Sequence, residues 1–184
     1  SLEMNLANKI TILRVLLVPV FVVVFYLDLS FSNYLAAAIF IIASFTDALD
    51  GHIARSRNLI TNFGKFADPL ADKVLAAAAL IVLVGAGKVP AWVVIVIIAR
   101  EFAISGFRII AASEGITIAA SKWGKAKTIS QLTAIILLLL NNFPFTYLGI
   151  PMDVIILYLA LVLTIISGAD YIIKNYHILS SGDR

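Results

Sequence analysis

Long apolar runs recur along this chain, and its polar residues gather in the gaps between them. Six runs come near the ~20 residues that a helix needs to cross a bilayer core. They cover 10–28, 32–49, 67–87, 89–112, 128–148 and 152–173. The gaps read "DLSFSN", an aspartate-rich passage from 47 to 74, "GAGKVP", "SEGITIAASKWGKAK" and "NNFPFTYLGIPMD". Gly and Pro in three of these gaps suit turns or helix ends. The pattern predicts an all-α, polytopic membrane protein, a bundle of six transmembrane helices forming one domain over 1–184. No internal repeat and no long polar stretch argues for a second domain.

Composition sharpens this picture. The 184 residues are 61% hydrophobic and the mean hydropathy is +1.02, which excludes an ordinary soluble domain. Residues 1–3 read as an expression scar ahead of Met4, and the first apolar run is too long for a signal peptide and lacks a small-residue cleavage site. With no cysteine, disulfides and thiolate metal sites are excluded. Of the 14 lysines and arginines, all but Lys88 fall on the side that carries both termini and the 50–66 and 113–127 connections. The excess of basic residues on one side predicts a multi-pass protein of the cell membrane with both termini in the cytoplasm. It also puts the aspartate passage at the cytoplasmic face. No nucleic-acid partner is expected.

Four aspartates stand out in "DALDGHIARSRNLITNFGKFADPLADKV". Asp47 and Asp50 are spaced i, i+3, and Asp68 and Asp72 i, i+4, so each pair shares a helix face. The first pair is expected to close helix 2 and the second to open helix 3, with a hairpin bringing them together. Charged residues at helix ends can be merely interfacial, but four clustered carboxylates at a membrane boundary need a positive counterpart. Hard divalent cations such as Mg²⁺ or Mn²⁺ prefer such oxygen donors. Two ions roughly 3.5–4 Å apart would suit phosphoryl displacement. Zinc is disfavoured, since His52 and His177 are the only histidines. Gly51, Gly64 and Ala54 leave room for a ligand, and Arg55 can fork onto a phosphate.

Together these residues read D-x-x-D-G-x-x-A-R, eight residues, then G-x-x-x-D-x-x-x-D, from Asp47 to Asp72. This resembles the signature of the CDP-alcohol phosphotransferase family at every defined position. The resemblance implies an enzyme that moves a phosphatidyl or similar group from a CDP-linked donor to an alcohol and releases CMP. It implies that Asp47, Asp50, Asp68 and Asp72 bind two divalent ions and that Asp72 is the general base. Gly51, Ala54, Arg55 and Gly64 would form the CDP cradle, with Asn8 and Thr11 near the nucleotide. Arg14 belongs to the same N-terminal pattern, although it could simply snorkel to the interface. The family also implies a homodimer.

The acceptor is addressed by two further clusters. In "AREFAISGFR", residues 99–108, Glu101, Ser105 and Arg108 follow an i, i+4, i+7 pattern, with Arg100 beside them. A Glu–Arg pair closing the bundle is one reading; intramembrane charge more often marks function. In "SKWGKAKT", Lys122, Lys125 and Lys127 begin helix 5, where they could also meet anionic lipid headgroups. An acceptor with its own phosphate would suit such a cationic pocket. "NLANKITILRVLLVPVF", "REFAISGFR", "GKAKT" and "LTIISGADY", from Asn5 to about Tyr171, are similar to family members that use glycerol-3-phosphate. That similarity implies transfer from CDP-diacylglycerol to the 1-hydroxyl, with the acceptor phosphate on Arg100, Arg108, Lys125, Lys127 and Ser105. Phosphatidylglycerol or inositol phosphate as acceptor are the rivals within the family. A divalent-cation or proton-coupled transporter is disfavoured because its carboxylates would lie near the bilayer midplane.

Overall fold

The computed structural model describes residues 6–27, 29–56 and 62–180, with the side chains of residues 7, 47–56 and 62–69 outside that description. Among the described residues every regular element is helical. The long helices are α1 (Leu6–Tyr26), α2 (Ser32–Ser56), α3 (Asn62–Gly85), α4 (Ala91–Ser113), α5 (Lys122–Leu139) and α6 (Met152–Asn175), followed by a short α7 (His177–Ser180). They fall in two compact units, Ser1–Lys88 and Val89–Arg184.

In the first unit α1 packs on both α2 and α3, and α2 touches α3. Small residues make the close approach possible: Ala36, Ala37 and Ala43 on α2 and Ala71 and Ala79 on α3 are buried. Phe21 and Phe40 fill the space between α1 and α2 with ring centroids 6.1 Å apart. In the second unit α5 and α6 form a hairpin, α4 packs on α6, and α7 returns to α4. Ile104, Phe107, Ala111, Tyr171 and Ile178 form one buried cluster there.

Helix ends follow local chemistry. Ile116 N–H reaches back to the Ala111 carbonyl at 2.9 Å around Gly115, whose φ of 73° suits a residue without Cβ. Ser121 caps α5 by accepting from the Gly124 N–H at 3.0 Å. At the other end of α5, Asn141 and Asn142 take φ of 53° and 66°, a conformation asparagine tolerates better than most residues. This stops α5 at Leu139, nine residues before the apolar run suggests. The helix also begins at Lys122 rather than 128.

The Asn142 side chain then ties the turn together. Its Nδ2 donates to the Ile150 carbonyl at 2.7 Å, and its Oδ1 accepts from the Asp153 N–H at 3.0 Å. Asn142→Ala removes both bonds beside a buried position, and is expected to destabilise by about 1–3 kcal/mol. Thermal unfolding in detergent checks this. Asn142→Gly relieves the backbone but not the lost bonds, so it should remain below wild type; equal melting temperatures would place the turn's stability elsewhere.

The boundaries around the aspartates also differ from the expectation. α2 does not stop near residue 49 but continues to Ser56, and α3 begins at Asn62 rather than 67. Gly51, His52, Ala54, Arg55 and Gly64 are therefore helical positions, not loop positions. Both ends of this connection carry helix-compatible sequence, and a single Gly costs a helix only about 1 kcal/mol.

Among the described residues, two helical stretches, Asn8–Tyr26 and Met152–Asn175, are long and apolar enough to cross a bilayer. Most of their residues are not buried within the protein, as expected of helices whose apolar surface meets lipid rather than a protein core. α4 carries Arg100, Glu101 and Arg108, and α5 carries Lys122, Lys125 and Lys127, so both are more polar.

Candidate active site

The acidic signature lies on two packed helices of the first unit. Positions 47 and 50 fall on one side of α2, and positions 68 and 72 on one side of α3. Asp72 is exposed, while Ala71 and Leu75 on the same helix are each 2% exposed and hold it to the core. The side chains of Asp47, Asp50, Asp68, Gly51, Ala54, Arg55 and Gly64 lie outside the described residues. As a donor set, four carboxylates at these helix positions suit hard divalent cations.

α1 adds a polar stripe to this unit. Asn8, Thr11 and Arg14 recur every three residues and are 3%, 1% and 0% exposed. Arg14 therefore does not snorkel. A fully buried guanidinium on a helix packed against α2 and α3 needs polar company, so this stripe faces the interior of the unit and not lipid.

The second unit gathers the remaining candidates. Glu101 Oε1 accepts from Arg100 Nη1 at 3.3 Å and also pairs with Lys127 Nζ from α5. Arg100 Nη2 donates to Ser167 Oγ on α6 at 3.1 Å, and Ser167 in turn donates to the Thr164 carbonyl at 3.1 Å. Lys127 is buried, and Ser105 is half-buried. Arg108 and Lys125 are exposed. The Arg108 guanidinium carbon stands 5.8 Å from the centre of the Tyr171 ring, a cation–π arrangement. Arg108 also edges a cavity of about 350 Å³, with Ala111 and Ala112 on the helix and Thr117, Ile118 and Ala120 on the following connection.

The five residues suggested for the acceptor are thus divided. Arg100 and Lys127 are engaged with Glu101, Arg108 lies over the Tyr171 ring at the edge of the cavity, Lys125 is exposed and Ser105 is half-buried. Ser167, Gly168 and Tyr171 were not singled out individually from the sequence. The signal that could have found them is the small and polar "SGADY" in an otherwise apolar helix.

The comparisons with known proteins agree with the motif. The CDP-alcohol phosphatidyltransferase family matches residues 4–166. A Bacillus subtilis protein named CDP-diacylglycerol–glycerol-3-phosphate 3-phosphatidyltransferase is 45% identical, covering 97% of this chain and 99% of its own length. A Rickettsia felis protein of the same name is 40% identical over 92% of this chain and 94% of its own. A Mycobacterium tuberculosis protein named probable phosphatidylglycerophosphate synthase is 39% identical over 92% of this chain and 81% of its own. With the acidic signature on two packed helices, the family match through most of the chain and these nearly full-length relatives, this protein belongs to the CDP-alcohol phosphatidyltransferase family.

Proposed function

We propose that this protein transfers the phosphatidyl group of CDP-diacylglycerol to the 1-hydroxyl of sn-glycerol-3-phosphate, giving phosphatidylglycerophosphate and CMP. The observation that carries the reading is the paired acidic positions of α2 and α3, in a chain whose nearly full-length relatives bear the name of this transferase.

In this reading Asp47, Asp50, Asp68 and Asp72 hold two divalent cations, Mg²⁺ or Mn²⁺. Such ions would neutralise the pyrophosphate and favour in-line displacement at phosphorus. Asp72 takes the proton from the acceptor hydroxyl. A bond forms between that oxygen and the phosphatidyl phosphorus, and the bond from this phosphorus to the bridging oxygen breaks, so CMP leaves. Gly51, Ala54, Arg55, Gly64, Asn8 and Thr11 bind the CDP group. Arg100, Arg108, Lys125, Lys127 and Ser105 receive the acceptor phosphate. The lipid donor requires a membrane, and α1 to α6 would span it as six helices, with the termini and the reaction at the cytoplasmic face. The protein would act as a homodimer.

The test is CMP release by purified protein with CDP-diacylglycerol and Mg²⁺, comparing glycerol-3-phosphate, phosphatidylglycerol, inositol phosphate and serine. Release with glycerol-3-phosphate alone is expected. Release with another alcohol instead would keep the aspartate chemistry and overturn the assignment of the acceptor.

A further inference from the structure

Glu101 is the only acidic residue of α4, and it meets two cations. Its Oε1 takes Arg100 Nη1 at 3.3 Å and Lys127 Nζ, so one carboxylate links α4 to α5. Arg100 extends the link to α6 through Ser167 Oγ at 3.1 Å. The backbone leaves space for this: a Cβ on Gly168 would stand 3.1 Å from Arg100 Cγ, tighter than such contacts normally are. Arg100, Glu101 and Lys127 have side chains only 13%, 21% and 10% exposed.

One carboxylate joined to two cations leaves an excess positive charge among these largely buried side chains. Two cations gathered so closely repel each other, and without Glu101 each would relax toward solvent or other partners. A purely structural clamp needs one cation for one carboxylate. A second, buried beside the first, fits an arrangement completed by an incoming anion.

We infer that Glu101 is a positioning residue for the acceptor: it holds Arg100 and Lys127 in the orientation in which they receive the acceptor phosphate. The inference rests on the proposed function, with glycerol-3-phosphate as acceptor. Ser167 and Gly168 serve the same end from α6, the first by accepting from Arg100 and the second by leaving room for its side chain.

The experiment measures kcat and KM for both substrates with the full-length protein, together with thermal unfolding. Wild type is measured first. If it releases no CMP with glycerol-3-phosphate, the proposed function fails, and with it the premise of this inference. Given an active wild type, Glu101→Ala should raise the KM for glycerol-3-phosphate about tenfold, leaving that for CDP-diacylglycerol within about twofold. Glu101→Gln keeps an acceptor oxygen for both donors and should recover most of the loss, to a rise of about threefold. Gly168→Ala displaces Arg100 without changing any charge and should raise the same KM about threefold. A lower melting temperature with unchanged KM would reduce Glu101 to a structural clamp and overturn the inference. An equal rise in both KM values would overturn it too, as would a fall in the KM for glycerol-3-phosphate. If Glu101→Ala does not fold, Glu101→Gln and Gly168→Ala decide in the same way, and no change of KM in either overturns the inference.

Discussion

The Asp72→Asn variant is expected to fold as wild type does and to release CMP about 10²–10⁴ times more slowly, the range over which a positioned general base contributes. The fold should survive because Asp72 is exposed and the amide occupies nearly the same volume. The neighbours that anchor α3, Ala71 and Leu75, remain buried. The chemistry should not survive, since an amide neither accepts the hydroxyl proton nor matches a carboxylate as a ligand for a hard cation. Turnover with glycerol-3-phosphate, measured beside circular dichroism and thermal unfolding, separates the two effects. Normal turnover would remove Asp72 from the role of base. Lost turnover with a lost fold would mean instead that its negative charge is structural.

Metal removal should have an effect as large. Treatment with EDTA is expected to bring CMP release to background, and Mg²⁺ or Mn²⁺ to restore it. Zn²⁺ should not restore it, because the chain has no cysteine and the proposed donor set is carboxylate oxygen. A second readout needs no turnover. Four carboxylates on two packed helices repel one another once the cations are gone, so the melting temperature should fall on chelation. Ions present at about 100 times their dissociation constant stabilise a folded protein by about 2.7 kcal/mol. Activity that resists thorough chelation would overturn the metal assignment.

The acidic signature was readable without coordinates because its spacing is covalent. Asp47 with Asp50 and Asp68 with Asp72 share helix faces wherever those segments are helical, and α2 and α3 make them so. The six long helices were equally legible, since apolar runs near bilayer length have few other outcomes. Their ends were less so. The connection between the two aspartate pairs reads as a loop because Gly and Arg interrupt the apolar pattern, yet α2 runs on to Ser56. Propensity penalties of about 1 kcal/mol per residue are too small to end a helix that packing continues. At α5 the error was opposite: the apolar run passes through Asn141 and Asn142, where positive φ ends the helix.

The basic residues show the same division at the level of the site. Their types and their spacing along α4 and α5 were open to inspection, and so was the chemistry they suit. What the linear order could not convey is which of them are already engaged. Arg100 and Ser167 are 67 positions apart, and Glu101 and Lys127 are 26 apart. Such pairings depend on how α4, α5 and α6 pack. The carboxylate at 101 therefore changed from a candidate pair partner into the link between two cations, and burial of Arg14 decided against the snorkelling that its sequence position left open. Residue type and periodicity are local properties of the chain, whereas burial and charge pairing come into being only when distant helices meet.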